Sequence, residues 1–374
     1  MRFLSWAHNY SFKRAIRHLT IRGRACDRAA LTQYLNDTYS GKSYLYYNGR
    51  SALAVALKTL LGPKVAGKKV GVNAYTCYAV VQAVQDVGAK VVYLDIDKKT
   101  YNFSPETLVS AIKKQKLSAV IIQNTLGITA DIKAIEKISR IAGLKIIEDL
   151  AHSPNLKYKD GRMTGTVGDA VFFSFGRGKP VDTEHGAALV LRNEFQDAKI
   201  YVPTKLASRK SRSRDRFYPI RGWRVRTTYK IFGRKIGLLL AWFFSSTGLV
   251  QKSTDGKVEP HVTLANWQAR LALEQLKDKP KIDRLPLLVE HRDAVLRALA
   301  KKGYYFDSIW WDVAVSPRRY FSKVNFDAKR TPVAFEVGEK MLNIPTNLSA
   351  KEKRDIIAII KSAQKSAAKG QDGA

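Results

Sequence analysis

The chain has 374 residues, 45% of them hydrophobic, enough to bury a large core and to divide into two domains. Two cysteines and six scattered histidines argue against a disulfide scaffold and against a metal centre, and they make a reducing cytoplasm the expected compartment. A net charge of +33 points to polyanionic surroundings: anionic lipid, nucleic acid or phosphorylated small molecules.

Residues 1–27 read as a basic arm. No acid precedes Asp27, while Lys13, Arg14, Arg17 and Arg22 interleave with Trp6, Phe12, Ile16 and Leu19. This is the pattern of a basic amphipathic helix, with three readings open: a presequence, a membrane-surface helix, or an arm that docks on a partner subunit. No apolar run of the secretory-signal kind is seen at the start.

From residue 28 to about 200, helix and strand patterns alternate. A helix is expected over Leu31–Leu35 and another over Ala52–Leu61, followed by a strand at Val70–Val72. Then come a helix at Tyr78–Val87, a strand at Lys90–Leu94, and a helix at Pro105–Lys114 capped by Ser104. The pattern continues with Ala119–Gln123 (strand), Ile132–Ala142 (helix), Lys145–Ile147, Ala170–Phe173 and Gly186–Leu191 (strands). Such alternation implies a mostly parallel sheet with helices on both faces, and ligands at the carboxyl ends of its strands.

Three motifs fall at such ends. The strand at Ile146–Ile147 runs into Glu148-Asp149-Leu150-Ala151-His152. The strand at Ala170–Phe173 runs into Ser174 and, five residues on, Lys179. Tyr47-Asn48-Gly49-Arg50-Ser51 is a glycine-containing turn that opens a helix. Taken singly, Asp149 reads as a strand-end acid capping the next helix, Lys179 as one lysine among many, and the turn as an ordinary helix start. Together and in this order they suit pyridoxal phosphate (PLP). A lysine forms the Schiff base, an acid pairs with the pyridinium nitrogen, and a helix N-terminus cradles the phosphate.

A segment of a different kind follows. Lys205–Lys235 holds twelve Lys/Arg against one acid, Asp215, with Phe217, Tyr218, Trp223, Tyr229 and Phe232 interleaved. Ile236–Val250 is then uncharged and too short for a comfortable membrane span. Two readings stand: an interfacial anchor to an anionic membrane surface through 205–250, or a buried helix behind a solvated basic loop. No nucleic-acid-binding motif supports specific nucleic-acid recognition. Helical periodicity resumes at Leu264–Leu276 and Asp283–Ala300, and a last helix is expected from Ala350 with Ser349 as its cap.

The chain resembles the DegT-type (DegT/StrS) sugar aminotransferases of PLP fold type I. NGRSAL resembles the family's phosphate turn, IIEDLAHS its aspartate motif and GDAVFFSFGRGK its Schiff-base motif. LANWQARLALEQL resembles its interface helix, and MLNIPTNLSAKEKRDIIAII its closing segment. The resemblance implies a three-layer α/β large domain with a mostly parallel sheet and a smaller α+β C-terminal domain. The domain limits would be a 1–27 arm, 28–260 with the insert at about 200–258, and 261–374.

By the same resemblance Lys179 would hold PLP and move the substrate proton, and Asp149 would pair with the ring nitrogen. His152 would touch the ring or its phenolic oxygen. Ser174 with Gly49, Arg50 and Ser51 would bind the phosphate, and Cys77 and Tyr78 would lie against the ring. His261 stands where a neighbouring subunit usually sends an Asn to the phosphate, so a homodimer is implied. His185 departs from the family's usual Gly-Glu-Gly-Gly run, and the basic insert has no counterpart in the pattern. The activity implied is amino transfer, with glutamate as donor, to a nucleotide-linked keto-sugar in surface-glycan or amino-sugar biosynthesis. The alternatives are a sugar dehydratase, in which a His replaces the lysine in the relative known for this fold, and a peripheral membrane or polyanion binder on a degenerate PLP scaffold.

Overall fold

The computed structural model describes residues 2–3, 11–250, 256–278, 284–306, 309, 311–346 and 348–371. Its centre is a seven-stranded sheet: β1 (Lys42–Tyr46), β2 (Lys69–Asn73), β3 (Lys90–Leu94), β4 (Leu117–Ile122), β5 (Lys145–Asp149), β6 (Ala170–Ser174) and β7 (Ala187–Leu191). The order is β1-β7-β6-β5-β4-β2-β3, with β7 alone antiparallel to its neighbours. Runs such as Val-Phe-Phe and Ala-Ala-Leu-Val-Leu are apolar on both faces because helices cover both.

The early helices are α1 (Phe12–Thr20), α2 (Asp27–Tyr39), α3 (Gly49–Leu61), α4 (Tyr78–Asp86), α5 (Pro105–Lys114) and α6 (Ile132–Ile141). Ala52, Leu53, Ala56 and Leu57 of α3 recur at helical spacing and pack on Val72, Ile147, Phe172 and Leu189. Leu31, Leu35 and Tyr39 of α2 pack on the opposite face, against Val171, Phe173 and Val190. Strand period two therefore decides which acid does what on β5. Ile147 and Asp149 share the α3 side, while Glu148 turns to the other. Glu148 is buried and accepts from Gly165 N, Val167 N, Gly168 N and Tyr158 Oη at 2.6–2.7 Å.

Helix α7 (Arg209–Ser246) fills the basic segment and is broken at Gly233, where φ is 82° and ψ 175°. Beyond the break the chain folds back. Gly237 lies so close to the Tyr229 ring that a Cβ there would sit 2.3 Å from it, and Arg221 Nη1 donates to Leu249 O at 2.5 Å. The expected buried helix over 236–250 is thus half right. Gly237 is buried, while Ile236, Leu239 and Trp242 are exposed. Helix α1 lies along α7, with Phe12 4.9 Å from the Trp223 ring and the Arg216 guanidinium capping Leu19 O and Ile21 O. The basic arm so docks on its own chain; Trp6, assigned to the same helix, lies outside the described residues.

Helix α8 (Asn266–Lys277) packs on α2. The helix expected over Asp283–Ala300 is instead a strand, β8 (Arg284–Leu288), and a helix, α9 (Arg292–Lys301). Pro286 has no N–H to give a helix interior. Strand β8 pairs antiparallel with β9 (Met341–Pro345), which follows α10 (Pro332–Lys340). The final helix, α11 (Ala350–Gln371), closes on α9 around Val295, Leu299, Leu342, Ile344 and Ile356.

Candidate active site

The carboxyl ends of β5 and β6, the start of α3 and the loop after β6 enclose one cavity. Gly49, Arg50, Cys77, Asp149, His152, Ser174 and Lys179 all line it. Seven of the residues singled out in the sequence are therefore brought together. Three are not. Ser51 is buried outside the cavity; its hydroxyl donates to Asn48 Oδ1 and accepts from Glu259 N, so it locks the N-cap of α3. Tyr78 stacks on Tyr320 at 4.3 Å. His261 is exposed, edge-on to Tyr201.

Asp149 is 3% exposed. One oxygen, Oδ1, accepts from Ala151 N at 2.8 Å; Oδ2 takes no hydrogen bond among the described residues. Burial pushes its pKa up to about 7, against the smaller opposing pull of the Ala151 N–H. A cationic partner on Oδ2 would restore the ionised form.

Lys179 Nζ lies 2.7 Å from His152 Nε2, and His152 Nδ1 accepts from Leu126 N at 3.0 Å. A backbone N–H can only donate, so Nδ1 presents its lone pair and the neutral ring carries its proton on Nε2. That proton then points at the amine, which receives it with a lone pair and is therefore neutral. Burial lowers the pKa of Lys179 and holds that of His152 well below the ordinary range, the direction that favours the uncharged form of each. A neutral amine is the state that attacks a carbonyl carbon.

The phosphate end is shaped by close approach. A Cβ on Gly49 would come within 3.3 Å of Ser174 Cβ, so glycine lets the turn lie against the serine and its hydroxyl without pushing the side chain back. The first N–H groups of α3 have no acceptor within the helix and carry its positive end. A hydroxyl, a helix N-terminus and Arg50 form a donor set suited to a phosphate dianion. With Asp149 for a pyridinium and a neutral Lys179 for an aldehyde, the residues present fit PLP.

Sequence reasoning missed part of the lining. Trp311, 2% exposed, closes the cavity beside His152, ring to ring at 5.2 Å. Tyr47 stacks on His185 at 4.8 Å, and both hold Asp215 of α7: Tyr47 Oη to Oδ2 at 2.7 Å, His185 Nδ1 to Oδ1 at 2.8 Å. Arg177, paired with Glu184 at 2.8 Å, stands 3.7 Å over the Tyr218 ring of the same helix. None of the cavity residues comes from 205–250, yet that segment braces three of them.

The sequence matches the DegT/DnrJ/EryC1/StrS aminotransferase family over residues 29–361. The chain belongs to this family, and PLP is the family's cofactor. Among curated relatives it is 33% identical over 144 residues to 3-amino-5-hydroxybenzoate synthase of Amycolatopsis mediterranei, covering 38% of this chain and 36% of that one. It is 33% identical over 148 residues to the UDP-2-acetamido-2-deoxy-3-oxo-D-glucuronate aminotransferase of Pseudomonas aeruginosa, covering 39% and 40%. These aligned stretches thus span well under two thirds of either relative. In fold, the chain superposes on a DegT/DnrJ/EryC1/StrS aminotransferase from Brucella abortus with a TM-score of 0.63, 20% identity and 91% of each chain covered. No described helix is long and apolar enough to cross a membrane.

Proposed function

We propose that this family member transfers an amino group, with glutamate as donor, to a keto-sugar carried on a nucleotide. The observation that carries the reading is the placement of Lys179, in contact with His152, and a buried Asp149 around one cavity with a phosphate cradle at its end. PLP, when bound, supplies an electron sink for the carbon that gains or loses the amine. Asp149 would keep the ring nitrogen protonated. Lys179, held uncharged by His152, would carry the proton between the two carbons. Trp311 and Phe172 would exclude water from the ring.

A sugar substrate is supported by the relative from Pseudomonas aeruginosa, whose name describes a nucleotide-linked 3-oxo sugar acid. Retention of Lys179 favours amino transfer over dehydration. A homodimer is supported by His261, which is exposed and outside the cavity of its own chain. The test is incubation of the purified protein with glutamate and a panel of nucleotide keto-sugars, followed by mass spectrometry. An amine-bearing sugar nucleotide formed together with 2-oxoglutarate is the expected result. Conversion of no keto-sugar, by a protein that binds PLP, would remove this substrate class.

A further inference from the structure

The fold-back at Gly233 sorts the side chains of the α7 hairpin into two sets. Val225, Tyr229, Leu240, Ala241 and Phe244 close on one another, together with Tyr305. Ile231, Phe232, Ile236, Leu239, Trp242 and Phe243 do not join them and are 47 to 65% exposed. Six large apolar side chains within residues 231–243 make a patch that a water-facing surface rarely carries without a partner. Lys230, Arg234 and Lys235 are exposed at the same bend. The acid of this basic stretch, Asp215, is turned inward and spent on Tyr47 and His185.

We propose that the bend of α7 docks on an anionic lipid bilayer. Phe232, Ile236, Leu239 and Trp242 would sink into the boundary between headgroups and acyl chains, a depth of about 5–10 Å, and the three cations would meet lipid phosphates. Charge selects this occupant. A second copy seated on the patch would bring the same cationic rim against itself, and like charges repel. A nucleic acid would meet the cations and leave the apolar side chains in water. A bilayer with anionic headgroups satisfies both sets. The root of the same helix grips the cavity wall through Asp215 and Tyr218, so the docked enzyme would hold its cavity at a fixed place near the bilayer.

The test uses the full chain and vesicles of equal parts phosphatidylcholine and phosphatidylglycerol, against vesicles of phosphatidylcholine alone. Sedimentation should carry the wild type with the anionic vesicles and leave it in solution with the zwitterionic ones, and the Trp242 emission should shift to the blue. Lys230→Glu/Arg234→Glu/Lys235→Glu should lower anionic binding at least about tenfold. Phe232→Ser/Trp242→Ser should bind at low salt and release in high salt, where the wild type keeps a bound remainder. These positions are exposed and outside the cavity, so PLP absorbance and thermal unfolding should match the wild type and certify the fold. Wild type that stays in solution with anionic vesicles at low salt overturns the proposal. So does an apolar variant that binds as the wild type does in high salt. A wild-type dimer that Phe232→Ser/Trp242→Ser splits into monomers also overturns it, and assigns the patch to a second copy.

Discussion

His152 Nε2 lies 2.7 Å from Lys179 Nζ, and the Leu126 N–H on the far side of the ring decides that the proton between them belongs to the imidazole. The lysine is thereby prepared as a nucleophile before any substrate arrives. Replacing His152 by Leu removes a donor to the neutral amine, a hydrogen bond of about 1 kcal/mol, close to one pH unit. The pH at which half of the protein carries a borohydride-trapped PLP adduct should rise by about that much in His152→Leu. His152→Gln, which keeps an N–H donor, should stay near the wild type.

Lys179→Ala should abolish the trapped adduct and amino transfer together while leaving the unfolding midpoint near that of the wild type, because the side chain ends in the cavity. Peptide mapping of the reduced protein checks it. An adduct on another lysine would displace the assignment.

Asp149 carries a pH signature. Its folded value of about 7 stands above the ordinary 3.8, so the cofactor-free folded chain binds this proton more tightly than the unfolded one. The stability it contributes is full below about pH 4 and is lost as pH rises through 7, a loss of roughly 4 kcal/mol. Cofactor-free Asp149→Asn should therefore melt higher than the wild type at pH 8 and close to it at pH 4. The same substitution should lower amino transfer by on the order of 10²-fold. Thermal scans at the two pH values, and steady-state rates, check the pair of outcomes.

Asp215→Ala should act at a distance from the chemistry. It strips a partner from Tyr47 and from His185, each a loss of about 1–3 kcal/mol where the group stays buried. A lowered melting temperature and a weaker hold on PLP are expected, measured by thermal scan and by equilibrium dialysis. A neighbouring exposed change, Arg224→Ala, should do neither.

The sheet and the chemistry were legible where a periodic pattern ended in an unusual side chain. Asp149 and Lys179 each close or follow an apolar strand, so their place at the carboxyl edge could be read from order alone. Strand β1, with the alternation Lys42-Ser43-Tyr44-Leu45-Tyr46, was overlooked beside the glycine turn that follows it. For Ser51, a hydroxyl beside a phosphate turn has two uses, and in the cofactor-free chain it serves the N-cap of α3. Trp311 gave no local signal, and Asp215 only a weak one. One lies 132 residues beyond Lys179 in a stretch without regular structure, and the other sits among twelve cations, where an acid looks solvated. Trp311 joins the cavity lining, and Asp215 braces two of its residues, through tertiary packing. A lone acid in a basic helix, three residues before Tyr218 and seven before Gly222 on one buried face, was the available hint.

The two adjacent acids of β5 carry a further meaning. Glu148 is bound by three backbone N–H groups and a phenol, while its neighbour keeps one oxygen open to the cavity. Sliding the strand one position one way would present Glu148 to the ring nitrogen, and sliding it the other way would bury Asp149 among the donors that now hold Glu148 and leave Leu150 at the cavity. The four bonds to Glu148 act as an indexing pin. They set the reading frame of the strand, and with it the identity of the acid that does the chemistry.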